Sequence, residues 1–90
     1  MGVFIVGGDR LGKIPRNLSL LGFNPVYHFR GRKKALGKLN IPEKTGLVIV
    51  LTDYVNHPIA AVIKEQASEK NIPVLYAKRS WPHICQKLKL

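Results

Sequence analysis

The segment Leu51-Thr52-Asp53-Tyr54-Val55-Asn56-His57 concentrates side chains able to do chemistry. His57 precedes Pro58 and opens a helical pattern, so its imidazole stands at the end of an element. A neutral imidazole in that position could ligate a metal or move a proton. It could equally be a histidine that only caps a helix. Asp53 could serve as a general base, hold a ligand hydroxyl, or pair with Arg10 or Arg79. No second carboxylate lies at a spacing that suggests paired acid–base work. His28 and His83 read as half-buried residues of a strand and a helix, and no histidine pair has the spacing of a zinc site. Ser80 and Cys85 have no neighbouring base in sequence, which leaves a nucleophile unsupported.

A second constellation follows the first apolar run. Gly7-Gly8-Asp9-Arg10-Leu11-Gly12-Lys13 matches the G-x-x-x-x-G-K pattern between a strand and a helix, where backbone N–H groups can wrap a phosphate. Ile14 stands where the pattern needs Ser or Thr to hold Mg²⁺, and ninety residues leave little room for the rest of a nucleotide hydrolase. The loop therefore reads as a plain anion-binding loop or as a glycine turn with Asp9 and Arg10 solvated. Arg30, Arg32 and Arg79 could reach the negative groups of a ligand, and Phe29 and Trp81 could cover a flat one or simply close the core.

The elements that must position these residues can be read from the pattern. Val3–Val6 is a short continuous apolar run of the type buried on both faces of a parallel sheet. Leu11, Ile14, Leu18 and Leu21 form one helical face, with Pro15 in the first turn and Gly22 as a left-handed stop. Pro25–Phe29 is a second strand, at a sheet edge. Arg30–Asn40 reads as a short crossover helix. Leu47–Leu51 is a third strand, and Pro58–Lys70 a helix with Ile59, Val62, Ile63, Gln66 and Ala67 inward and Asn71 closing it. Pro73–Ala77 is a fourth strand. Ser80 caps a last helix through Ile84 and Leu88.

Strands that alternate with helices predict a single α/β domain over residues 1–90. Its architecture is a small four-stranded parallel sheet, order 2-1-3-4, with helices on both faces, resembling half of a Rossmann- or flavodoxin-like fold. Ligands of such sheets bind beyond the carboxyl ends of the strands, where the winding reverses. That crevice is expected between the first and third strands. Gly7-Gly8-Asp9-Arg10 and Thr52–His57 line it, flanked by His28–Arg32 and by Lys78-Arg79-Ser80-Trp81.

Composition narrows the function classes. Lys plus Arg is 15 against 5 Asp plus Glu, a formal charge of +10. Eight of these cations fall between Arg10 and Lys38, before the first following acid at Glu43. A block of one sign calls for an anionic partner, either a compact ligand or nucleic acid. Nucleotide or RNA binding through the glycine loop and the basic run at 30–38 is the alternative to a small ligand, and no RNA-binding aromatic signature accompanies that run. No apolar stretch reaches the roughly 18 residues of a membrane span. The apolar opening is broken by glycines, unlike a secretory signal. One cysteine, Cys85, excludes an internal disulfide. The chain reads as soluble and cytoplasmic. A thin core with open sheet edges favours a homodimer.

Ile5-Val6-Gly7-Gly8-Asp9-Arg10-Leu11-Gly12, Gly31-Arg32-Lys33, Leu51–His57 and Ala77-Lys78-Arg79-Ser80-Trp81 resemble the short bacterial members of the domain of unknown function 2325 family. The glycine pair after the first strand and Asn56-His57 after the third carry most of the resemblance. Many longer members have Ser-His at the second position, together with extra cysteines and histidines that this chain lacks. The resemblance implies a compact α/β domain of bacterial origin with no established enzyme activity, and a haem-binding, oxygen-binding homodimer. On that reading His57 is the iron ligand, the arginines meet the propionates, and Phe29, Tyr54 and Trp81 meet the macrocycle. The expectation is a non-enzymatic ligand-binding protein. A small enzyme built on Asp53 and His57 is the third alternative.

Overall fold

A computed structural model describes residues 1–31, 37 and 39–90. The elements run β1 (Gly2–Val6), α1 (Ile14–Leu20), β2 (Val26–Phe29), β3 (Thr45–Leu51), α2 (His57–Glu69), β4 (Val74–Ala77) and α3 (Trp81–Leu88). All pairings are parallel, and the sheet order is β2-β1-β3-β4, as the alternation predicts. The expected crossover helix over Arg30–Asn40, and with it Arg32, lies largely outside the described residues.

Alternation along the strands divides the core in two. Val3, Ile5, Leu47, Ile49, Leu51 and Ala77 face α1 and α3, and meet Ile14, Leu18 and Ile84. Phe4, Val6, Val48 and Val50 face the opposite way and meet Ile59, Ile63 and Ala67 of α2, with Leu39 and Ile41. The two central strands are buried on both sides, which is why β1 and β3 read as unbroken apolar runs. Each buried Ile or Leu side chain contributes roughly 1.5–3 kcal/mol relative to exposure.

The helices begin and end where the local chemistry directs. Asn56 caps α2: its side chain accepts the Ile59 N–H at 3.0 Å, with Pro58 in the first turn. Asn71, in the left-handed region at φ 56°, closes α2. Ser80 caps α3 over a longer 3.4 Å bond from the His83 N–H. Gln66 fastens α2 to the segment entering β3: it accepts the Ile41 N–H at 3.1 Å and donates to the Leu39 carbonyl at 2.8 Å. One packing expectation fails. Leu21 is 47% exposed, because α1 ends at Leu20 and Gly22 turns the chain away before Leu21 can reach the sheet.

The strand ends are level. Val6 registers with Phe29 and with Val50, and Leu51 registers with Ala77. All four carboxyl ends therefore open onto one rim, and α2 and α3 both start there.

Candidate functional site

The rim is built by close approach of backbone at Gly7. Gly7 sits at φ 109°, and a Cβ there would lie 3.1 Å from the Tyr54 carbonyl oxygen and 3.2 Å from that of Leu51. Only glycine lets the β1 and β3 exits pack this tightly. The Gly7 N–H donates to the Phe29 carbonyl at 2.8 Å, extending the sheet. That amide is therefore engaged by β2 rather than turned to a phosphate.

The rest of the glycine loop supports an arginine. The Arg79 side chain runs across it: a Cβ on Gly8 would lie 3.9 Å from Arg79 Cδ, and one on Gly12 would lie 3.9 Å from Nη2. Arg79 Nε–H donates to the Arg10 carbonyl. The Arg79 backbone N–H donates to Asp53 Oδ1 at 3.0 Å. Three loops, after β1, β3 and β4, are thus tied together through one residue. Asp53 takes part in this tie and does not line the cleft that holds His57.

Among the described residues, two clefts on the rim are lined by candidate residues. The first, about 380 Å³, is lined by Asp9, Arg10, Tyr54 and Arg79. The second, about 230 Å³, is lined by Val50, Thr52, Val55, Asn56, His57, Ala60 and Tyr76. The candidate residues thus divide into a charged set and a largely apolar set. Tyr54 is 54% exposed in the charged cleft. Thr52 closes the other beside its own bond to β4, where its N–H donates to the Ala77 carbonyl at 2.9 Å.

The three histidines are not equivalent. His28 Nε2–H donates to the Gly7 carbonyl at 2.9 Å, which assigns the proton to Nε2 because a carbonyl only accepts. His83 Nδ1 accepts the Lys78 N–H at 2.8 Å. Both rings are parts of the fold. Among the described residues the His57 side chain has no hydrogen-bond partner, and the residue is exposed where it lines the apolar cleft. Asn56, not His57, is the cap of α2. No group of three or more His, Cys, Asp or Glu residues suited to a metal ion occurs among the described residues.

Residues 2–90 match a family model described as an uncharacterized protein conserved in bacteria. The chain belongs to the DUF2325 family. No curated protein and no solved structure matches it. Since the family model spans nearly the whole chain, both clefts belong to the DUF2325 domain itself.

The remaining candidates are placed elsewhere on this domain. Ser80 is occupied as the cap of α3. Trp81 packs on the α1–α3 core, on the opposite side of the sheet from the α2-facing residue Val50 in the His57 cleft. Phe29 packs on the α2 side without lining either cleft. Arg30 is exposed beyond β2. Gly8 is buried beneath Arg79. Val55 falls within the expected Thr52–His57 rim, whereas Val50, Ala60 and Tyr76 line the cleft without a place among the sequence-based candidates. Tyr76 had a readable signal: period-two alternation in an edge strand places it beside Val50, where α2 leaves it 42% exposed. No helix among the described residues is long and apolar enough to cross a membrane.

Proposed function

We propose that this DUF2325 domain is a non-enzymatic ligand-binding protein that holds haem through His57 in a homodimer. One observation carries the reading: among the described residues, His57 alone of the three histidines has no side-chain hydrogen-bond partner, and it borders an apolar cleft. An iron ligand needs an unengaged imidazole nitrogen, and a macrocycle needs an apolar wall. Val50, Val55, Ala60 and the Tyr76 ring supply that wall. The donor set therefore fits haem with one axial histidine. The chemistry a bound haem would supply is O₂ binding.

The cleft is open and, at about 230 Å³, smaller than the macrocycle, so one chain covers only part of it. A second copy closing over the exposed part would complete the site, which is the physical reason for the homodimer. Arg10 and Arg79 on the same rim are cations suited to the propionates.

The test is a hemin titration of the purified protein followed by absorption and analytical ultracentrifugation. The expected result is a saturable Soret band and a species of twice the chain mass in the haem-loaded sample. A protein that takes up no hemin would rule the reading out. Uptake by a species that stays monomeric would remove the shared site.

A further inference from the structure

Among the described residues, charge is segregated across the sheet in a way the linear sequence conceals. Among the described residues, α2 and the turn before β3 carry Lys44, Lys64 and Lys70 against Glu43, Glu65 and Glu69, which cancel. The α1–α3 side and the rim carry Arg10, Lys13, Arg16, Arg30, Lys78, Arg79, Lys87 and Lys89 against only Asp9 and Asp53. Apart from half-buried Arg79, all of these cations are exposed. Helices α1 and α3 pack on the same side of the sheet. Lys13 and Arg16 of the α1 region and Lys87 and Lys89 of the α3 region therefore belong to the same side, and Arg10 and Arg79 stand at the charged cleft on the rim.

At the rim, a tyrosine shares a cleft with two arginines. Tyr54, 54% exposed, lines the 380 Å³ cleft with Arg10, Arg79 and Asp9, so the two guanidinium groups outnumber the one carboxylate there. Arg79 is held before any ligand arrives, by its Nε–H bond to the Arg10 carbonyl and by Asp53 at its backbone N–H. Pre-orientation lowers the ordering cost of engaging a phosphate. A fixed guanidinium for a phosphate, an exposed ring for a base, and further cations for the neighbouring phosphates are the parts by which proteins hold single-stranded nucleic acid.

We propose that the α1–α3 side binds single-stranded nucleic acid, with one nucleotide seated in the Arg10–Tyr54–Arg79 cleft and the neighbouring phosphates on Lys13 and Arg16. This surface does not use His57 or the apolar cleft and differs from the basic run at 30–38, but it shares Arg10 and Arg79 with the propionate reading, so the strand-binding test is run on protein without hemin. Aromatic stacking makes the binding tolerant of sequence, and phosphate contacts make it salt-dependent. A base-paired strand keeps its bases stacked inside the helix, so a duplex gains nothing from Tyr54.

The test is fluorescence anisotropy with a labelled twelve-nucleotide single strand, its duplex, and a free nucleoside monophosphate as competitor. Two double variants remove the same charge from opposite sides: Lys13→Glu with Arg16→Glu, and Lys64→Glu with Lys70→Glu. The expected result is single-strand binding that weakens steeply with salt. The first pair should lower affinity by at least about tenfold, and the second should leave it within about twofold. Tyr54→Ala should weaken the single strand by about tenfold and the duplex hardly at all. Arg79 is left intact because its loss would also untie the loops. Circular dichroism confirms that each variant folds. Equal losses from the two pairs would reduce the effect to net charge and overturn the proposal. So would absent binding at low salt, equal affinity for the duplex, or a Tyr54→Ala protein that binds normally. A monophosphate that binds while the strand does not would identify a mononucleotide site and overturn the polymer claim.

Discussion

The two clefts on the rim are built by different means. The His57 cleft stands on regular structure: β3 and β4 supply Val50 and Tyr76, the first turn of α2 supplies His57 and Ala60, and the short β3–α2 connection supplies the rest. The charged cleft has only loop residues, drawn from the exits of β1, β3 and β4 and held together by Arg79. The first is apolar and made by packing; the second is polar and made by long-range hydrogen bonds. Local sequence pattern can set up the first. The second requires the fold to be complete.

That contrast can be broken at the β3 exit, from which both clefts draw residues. Gly7 packs against that exit, and Gly7→Val would force a β-branched residue into φ 109° against the Tyr54 and Leu51 carbonyls. A loss of about 3 kcal/mol is expected, read as a lower urea midpoint, with both clefts affected together. A neutral effect would mean the strand exits are looser than described. Asn56→Ala acts on the apolar side. Losing the 3.0 Å cap to the Ile59 N–H should remove about 1 kcal/mol of stability and loosen the turn that carries His57. Hydrogen exchange should locate that loosening at the start of α2 and leave the β1 exit protected. Ser80→Ala acts near the charged cleft through a weaker cap. Its 3.4 Å bond predicts a loss of about 0.5 kcal/mol, measured by the same denaturation. If Ser80→Ala proved more damaging than Asn56→Ala, the ranking of the two caps by geometry would be reversed.

The same division explains what could be read in advance. The strand order, the two-sided burial of β1 and β3, and the Pro58 and Ser80 helix starts follow from short-range signals: apolar runs, proline in a first turn, and a capping side chain. The position of His57 beside the strand ends follows from them too. The link from Arg79 to Arg10 spans 69 residues, and no periodicity announces it. The glycine loop was therefore legible as a turn, while the arginine lying over it was not. Leu21 fits the helical spacing of Leu11, Ile14 and Leu18, yet spacing says nothing of where a helix stops relative to the sheet. The +10 charge pointed along the chain to a basic run. In three dimensions, among the described residues, it divides across the sheet, a distinction that exists only after α1 and α3 have packed on one side.

The central claim is that His57 is available to a ligand because His28 and His83 are held by the fold. Its most direct measurement is the absorption spectrum of hemin-loaded protein carrying His57→Ala, His28→Ala or His83→Ala in turn. His57→Ala alone should abolish the Soret band of the histidine-ligated species, with the other two retaining it at reduced stability. An unchanged spectrum in His57→Ala, or its loss in folded His28→Ala or His83→Ala protein, would contradict the account.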